Sequence, residues 1–354
     1  MDNMKFFNNK KVLVTGHTGF KGTWLCQILY KLGADVTGYS LESPTNPNLF
    51  TLLNMENKIK SIIGDIRDIE KLQKCFYETK PEIVIHLAAQ PLVKESYLNP
   101  RYTYETNVMG TVNVLECIRN TDSVKSFLNV TTDKVYRNYE QEGYEYKEED
   151  FLDGYDPYSN SKSCSELITH AYLRSYFTDS KVAISTARAG NVIGGGDFSK
   201  DRIIPDCIRA AENKEEIIIR NLSSIRPYQH VLESLMAYLM IVEKQYNDKQ
   251  YSNYYNIGPD IQDCITTEQL VNLFCKYWQE GIKSKAILDK GPHEAKFLKL
   301  DTQKIKETFN WAPTWNIEKA VQKTVELAKL YKNETELETC INKQIDEFID
   351  ERGF

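Results

Sequence analysis

Tyr158 and Lys162 stand four positions apart at the start of a segment with helical character, which puts both side chains on one helix face. An ammonium beside a phenol favours the phenolate and draws its pKa from about 10 toward neutrality. Such a tyrosine is a general base for removing the proton of a sugar or alcohol hydroxyl. The spacing is inexpensive in a chain with 22 tyrosines, yet Tyr158 is the one followed by lysine at that interval. A second group, Thr131-Thr132-Asp133-Lys134-Val135-Tyr136, closes a β-rich apolar run. Thr132 can hydrogen-bond a reacting hydroxyl, and Asp133 with Lys134 forms an acid/base pair. The competing reading of Thr-Asp after a strand is an ordinary Asx-type turn.

A third group lies in KKVLVTGHTGFKGTWLCQILYKLGADVTGYS, residues 10–40. A β-rich run at 12–15 meets Gly16, and Gly19 and Gly22 follow at intervals of three. An amphipathic segment over 23–32 and a strand-like run over 35–39 complete a strand–turn–helix–strand unit. In such a unit the first glycine permits a tight turn, the second lets backbone approach a pyrophosphate, and the third lets helix pack close to strand. The helix N-terminus then presents free N–H groups to the anion. The spacing is G-x-x-G-x-x-G rather than G-x-G-x-x-G, and a purely structural turn is the alternative. An acidic residue ending the second strand usually holds the ribose 2′-hydroxyl of NAD. Here that strand ends Tyr39-Ser40-Leu41-Glu42, where Glu42 is a weak substitute, but no Lys or Arg lies between Lys31 and Lys58 to grip a 2′-phosphate. NAD is therefore expected over NADP.

These groups need a scaffold, and α/β alternation supplies one. Strands are expected at 59–63, 82–87, 125–131 and 181–188, with helices at 68–77, from Asn99-Pro100 to about residue 120, and from Pro157 to about residue 177. With the first unit this makes six strands and five crossovers, a Rossmann-type doubly wound parallel sheet of class α/β. A smaller mixed α/β lobe follows. Residues 1–190, with returning segments near 224–258, are assigned to the dinucleotide domain, and 191–223 with 259–354 to the substrate lobe. The acidic, tyrosine-rich loop YRNYEQEGYEYKEEDFLDG is either a solvated loop or the cover of a site.

Composition narrows the partners. A net charge of −6 and the absence of a Lys/Arg block disfavour nucleic acid. The start MDNMKFFNNKK has no apolar leader and no run approaches a membrane span, so no membrane partner and a cytoplasmic location are expected. Eight cysteines without a C-x-x-C pair read as reduced thiols, with no metal site.

GHTGFKG at 16–22, Asp65-Ile66, HLAAQP at 86–91, TTDKVY at 131–136 and YSNSK at 158–162 resemble the extended short-chain dehydrogenase/reductase superfamily over nearly the whole chain. The Thr-Asp-acid/base triplet resembles its nucleotide-sugar 4,6-dehydratases, whereas epimerases of the superfamily usually carry small residues where Asp133 and Lys134 stand. Lys134 in place of a glutamate, with YSLESPTNPNLF, RPYQHVLE and HEAKFLKLD, is similar to the branch acting on CDP-linked hexoses. The resemblance implies NAD held by Gly16, Thr18, Gly19, Phe20, Lys21, Gly22, Asp65, Ile66, Leu87, Ala88, Ala89, Gln90, Thr106, Thr131, Tyr158 and Lys162. It implies a CDP-hexose met by Gln90, Asn191, Arg202, Arg226 and His293; Glu294 also matches the pattern.

The implied chemistry is oxidation at C4 by Tyr158 with Thr132 and Lys162, then elimination across C5 and C6, then hydride return to C6. Asp133 would protonate the departing C6 hydroxyl and Lys134 would remove the C5 proton. A base must be neutral and an acid protonated, and adjacent opposite charges push this pair the wrong way. The resemblance further implies a homodimer through the helices near 100–119 and 157–177, with Val108, Val112, Leu115, Cys164 and Tyr172 as candidate contacts, and a deoxysugar for surface polysaccharide such as lipopolysaccharide O-antigen. His17 reads as a tolerated variable position in the turn. A dehydratase of GDP-mannose or dTDP-glucose, a nucleotide-sugar epimerase and a non-catalytic NAD sensor are the competing functions.

Overall fold

The computed structural model describes residues 3–279, 281–287 and 297–353. Its strands in chain order are β1 (Lys11–Thr15), β2 (Asp35–Ser40), β3 (Lys60–Ile63), β4 (Ile83–His86), β5 (Ser126–Thr132) and β6 (Ala183–Ala189). Then come the short β7 (Val192–Ile193), β8 (Ile217–Ile219), β9 (Ile225–Pro227) and β10 (Gln229–His230), followed by β11 (Tyr254–Ile257) and β12 (Cys264–Thr266). The main sheet has seven strands in the order β11-β6-β5-β4-β1-β2-β3. Six were expected; β11 adds the seventh, parallel to β6, with Tyr254 opposite Thr186 and Ile257 opposite Ala189. Helices cover both faces, so β4, β5 and β6 are buried along their whole length; β4 reads as a nearly apolar run, while the polar residues of β5 and β6 are hydrogen-bonded within the fold.

Those helices are α1 (Phe20–Lys31), α2 (Leu49–Leu52), α3 (Ile69–Thr79), α4 (Val93–Leu98), α5 (Pro100–Tyr104), α6 (Gly110–Arg119) and α7 (Pro157–Tyr176). The single helix expected from Asn99 to about residue 120 is α5 and α6 joined by a π-helical turn, Glu105–Met109. Helix α7 starts where its sequence dictates: the Asp156 carboxylate accepts the Ser159 N–H at 3.0 Å, and Pro157 occupies the first turn.

The winding reverses between β1 and β4, which opens a crevice at their C-terminal ends. Gly16 has φ +78°, and a Cβ there would sit 2.8 Å from the Ala88 nitrogen. A Cβ on Gly22 would meet the Gly16 carbonyl oxygen at 2.1 Å. Turn, helix and the loop after β4 therefore pack backbone against backbone.

Beyond β6 the helices are α8 (Ile203–Glu212), α9 (Val231–Asn247), α10 (Thr267–Trp278), α11 (Gln303–Phe309), α12 (Ile317–Ala328) and α13 (Glu334–Arg352). One apolar cluster runs from Val12 and Trp24 through Trp315 to Phe348. Trp24 Nε1 donates to the Gly195 carbonyl at 2.9 Å. Helix α13 meets α1 through polar contacts: Gln27 Nε2 donates to Asn342 Oδ1 at 3.0 Å, and Lys31 pairs with Asp346 at 3.1 Å. The apolar side of α13 meets Trp315 through Phe348, with ring centroids 5.0 Å apart.

Replacing Gly22 by Ala should destabilise the protein by about 2 kcal/mol or more, because the new methyl has only backbone to meet. Urea unfolding checks this; parental stability would mean the turn has slack.

Acid should also destabilise the protein. His17, His86 and His230 are buried, and burial lowers them to about 4, about 3 and about 3 respectively. Below about pH 6.5 the unfolded chain takes up protons at each while the folded chain does not, so stability falls toward about pH 4. Glu233 opposes this: burial raises its carboxyl to about 7, so the folded chain keeps a proton that the unfolded chain releases above about pH 4.3. Three groups outweigh one, and Glu233→Gln should steepen the decline. Calorimetric Tm between about pH 7 and about pH 4.5 is the measurement; a flat profile would refute the account.

Candidate active site

Strand β5 delivers its last residue to the crevice beside the first turn of α7. The Thr132 hydroxyl donates to Asp133 Oδ1 at 2.9 Å and stands beside the Tyr158 phenol. The chain then makes one 3-10 turn, Asp133–Val135, which the same hydroxyl caps. The Asp133 side chain is buried, and its Oδ2 has no hydrogen-bond partner among the described residues. Lys134 Nζ lies 4.0 Å from Asp133 Oδ1 and donates to Asn191 Oδ1 at 3.3 Å. Arg202, at the N-terminus of α8, pairs with Asp197 at 2.9 Å and turns its charge toward Tyr158. Lys21 arrives from α1 and donates to the Tyr238 hydroxyl at 3.4 Å.

The electrostatics differ from the expectation. Burial raises the Tyr158 phenol to about 12, against the opposing pull of the Thr132 hydroxyl and Arg202. Lys162 does not draw it down: its ammonium donates to the Val130 carbonyl at 3.0 Å, and burial lowers the lysine itself to about 8. Desolvation of the phenolate outweighs a neighbouring charge that points at the strand. Lys21 is lowered to about 7, first by burial and then by repulsion from Arg202 and Lys162, with Asp133 opposing. Lys21, Lys134, Lys162 and Arg202 thus make a cationic cleft around Tyr158 and Asp133, suited to a diphosphate.

At the other end of the crevice the fold leaves room. A Cβ on Gly19 would meet only the Gly16 oxygen, at an ordinary 3.5 Å, so the structure does not itself require glycine there. Helix α1 starts after Gly19 without a side-chain cap. Leu87 and Ala88 donate their N–H groups to Thr15 Oγ1 at 3.2 Å each, which holds the half-buried loop of Leu87, Ala88 and Ala89 at the turn. Phe20 reaches toward Gly194. The buried Thr106 hydroxyl, in the π-helical turn, has no partner among the described residues. Thr18 Oγ1 donates to the Leu41 carbonyl at 2.9 Å and fixes the end of β2.

Other expected contacts are engaged elsewhere. The Thr131 hydroxyl points away from the crevice and donates to Glu166, because alternation along β5 sends neighbours to opposite faces. The Gln90 amide accepts from Leu92 N at 2.6 Å and donates to the Leu92 carbonyl at 3.1 Å and Thr103 Oγ1 at 2.9 Å, so it shapes its loop. Asp65 is bound by Arg67, with Nη2 to Oδ2 at 2.6 Å, and the Ile66 side chain is core beneath Gly110. Arg226, on β9, is buried rather than a surface residue. His293 and Glu294 lie outside the described residues.

His17 is no free position: its ring meets Ser61 Oγ at 2.7 Å and Ser40 Oγ at 3.0 Å and fills the space over Gly38. Sequence reasoning missed Tyr238 and Glu166. Glu166 carried a signal, standing at helical spacing from Tyr158 and Lys162.

Residues 13–324 match the model of the GDP-mannose 4,6 dehydratase family. A CDP-glucose 4,6-dehydratase of Salmonella typhimurium is 42% identical over 99% of this chain and 99% of its own. The structure of dTDP-glucose 4,6-dehydratase from Bacillus anthracis in complex with NAD shares the fold with a TM-score of 0.77 at 22% identity, covering 94% of this chain and 99% of that one. UDP-glucose 4-epimerase of Thermotoga maritima with UDP-glucose gives 0.78 at 24% identity, covering 92% and 99%. A family match over most of the chain, on a parallel sheet with an acid/base pair beside a tyrosine, means that this protein belongs to the GDP-mannose 4,6-dehydratase family of extended short-chain dehydrogenases/reductases.

Proposed function

We propose that the protein is an NAD-dependent lyase that converts CDP-D-glucose to CDP-4-keto-6-deoxyglucose and water. One observation carries the dehydratase chemistry: a single hydroxyl, that of Thr132, joins Tyr158 to a buried Asp133 whose second oxygen lacks a partner among the described residues. An epimerase has no need of that second acid. The relative at 42% identity supports CDP-glucose over other nucleotide-hexoses.

The residues fit a dinucleotide. The open cradle at Gly19, the uncapped start of α1 and the unpartnered Thr106 hydroxyl would receive it, with Lys162 beside Tyr158. The nicotinamide, when bound, supplies a reversible hydride acceptor. Tyr158, whose anion Thr132 and Arg202 favour against burial, must first release its own proton; as the phenolate it accepts the proton of the C4 hydroxyl, which Thr132 orients. Oxidation at C4 acidifies the C5 proton; Lys134 removes it while Asp133 protonates the C6 oxygen, which leaves as water. The resulting C5–C6 alkene takes the hydride back at C6 and a proton from Lys134 at C5, which closes the cycle. Arg202 and Lys21 add positive charge for a diphosphate, and Asn191 holds Lys134 in place.

We extend the reading to the assembly and its setting. The division into a dinucleotide domain at 1–190 with 224–258 and a substrate lobe from the rest is kept as a proposal. A homodimer through α5, α6 and α7 would cover the exposed Met109 and Leu167; Leu115 is excluded from that surface, since it is buried in the core. A cytoplasmic location accords with eight free cysteines, and no helix among the described residues is long and apolar enough to cross a membrane. A product with a 4-keto group and a 6-methyl is suited to surface-polysaccharide deoxysugars such as those of O-antigen.

Incubation with CDP-, dTDP-, UDP- and GDP-hexoses in parallel should give the alkali-developed 4-keto chromophore with CDP-glucose. Equal turnover of another nucleotide would overturn the base assignment, and a 4-epimer without chromophore would overturn the dehydratase. NAD should support at least about tenfold more turnover than NADP, since no cation between Lys31 and Lys58 meets a 2′-phosphate.

Tyr158→Phe should lower kcat by about a thousandfold. Lys134→Met should leave C4 oxidation intact, seen as absorbance of reduced cofactor, while blocking solvent deuterium entry at C5. Loss of both steps together would refute this division of labour between Tyr158 and Lys134.

A further inference from the structure

Glu166 is a fully buried charge that the mechanism above does not use. It lies on α7 one turn beyond Lys162 and two beyond Tyr158, on the same face. Its carboxylate accepts from the Thr131 hydroxyl, from the Thr186 hydroxyl at 2.6 Å and from Arg188 Nη2 at 3.0 Å. The His170 ring lies 3.4 Å away. Arg188, also fully buried, donates through Nη1 to the Tyr136 hydroxyl and the Glu148 carbonyl, both at 2.8 Å. Tyr136 in turn donates to Asn256 Oδ1 on β11 at 2.6 Å. One carboxylate thus ties α7 to β5 and β6, and through Arg188 to β11 and the acidic loop.

An ion pair this deeply buried is a poor source of net stability, because desolvating both charges offsets their attraction. Its location gives it a better reason. Thr131 and Thr132 alternate across β5, so gripping the first fixes the direction of the second.

We propose that Glu166 is a positioning residue for the reaction, holding the Thr132–Asp133 end of β5 against Tyr158 and balancing the Lys162 ammonium one turn away. The proposal rests on the dehydratase reading. The titratable groups around that ammonium are Lys21 from α1, His86 from β4, and Tyr158 and Glu166 on its own helix. His86, lowered by burial to about 3, is neutral, and Lys21 repels. Burial lowers Lys162 to about 8, and Glu166 is the group that opposes this. Burial also works against the charge on Glu166, but Arg188 and His170 hold its carboxyl well below the usual range. Without the carboxylate, Lys162 loses its proton at lower pH.

The test uses the full-length, NAD-loaded enzyme. Parent turnover reports on the dehydratase reading, and variant-to-parent ratios report on Glu166. Glu166→Gln combined with Arg188→Met removes both buried charges and leaves neither unpaired. With CDP-glucose, kcat should fall by about tenfold or more with KM within about twofold. The alkaline limb of the kcat–pH profile should move down by about one pH unit, and Glu166→Asp should restore it. Thr131→Val removes one grip but keeps the charge, so kcat should fall without moving that limb. In the NAD-free protein, the pH midpoint for acetylation of Lys162 by acetic anhydride, read by mass spectrometry, should drop by about one unit in the double variant. It should stay put in Thr131→Val.

Parental kcat in the folded double variant, or a fall in kcat with neither the limb nor the acetylation midpoint displaced, overturns the proposal. If the double variant does not fold, Thr131→Val decides, and parental kcat there overturns it.

Discussion

Thr132 sits where a period of two meets a period of 3.6. Strand β5 turns alternate residues to opposite faces, so Thr131 goes inward and Thr132 goes to the crevice. Helix α7 stacks Tyr158, Lys162 and Glu166 along one face. The two elements register through hydroxyl contacts at Thr132 to Tyr158 and at Thr131 to Glu166. Sliding β5 by one residue would exchange the two threonines and turn the reacting hydroxyl into the core. The β4, β5 and β6 neighbours, the Asp156 cap of α7 and the buried Glu166–Arg188 pair all oppose that slip.

The cleft concentrates positive charge where water is largely excluded. Burial lowers Lys21 and Lys162 and raises Tyr158, so each group carries charge less readily than it would in water. A diphosphate entering among Lys21, Arg202 and Lys162 would favour the charged lysines. The Asp133–Lys134 pair lies beside them. Their 4.0 Å separation allows attraction without a direct hydrogen bond, and Asn191 holds the lysine to one side.

The crevice and the far helices belong to one packed body. Gly22 sets α1 against the glycine turn, Trp24 on α1 reaches Gly195, and α13 lies across the outer side of α1. The distal lobe therefore braces the element whose N-terminus faces the crevice.

Local chemistry determined a good deal in advance. Glycines at 16 and 22, the capped start of α7 and the short strand-like runs are short-range features, and the doubly wound sheet follows from the alternation of strands and helices. Tyr158 and Lys162 share a face because helix geometry requires it. Tertiary structure alone decided the rest. The seventh strand joins β6 because residues 254–257 return after α9; the sequence places this stretch with the dinucleotide domain but does not name its partner strand. The π-helical turn divides what reads as one helix. Gln90 and Thr131, each of a type fit to meet a ligand, are committed to Thr103 and Glu166 by neighbours distant in sequence. The protonation of Tyr158 follows from burial, and burial is a property of the packed protein that no spacing of residues specifies.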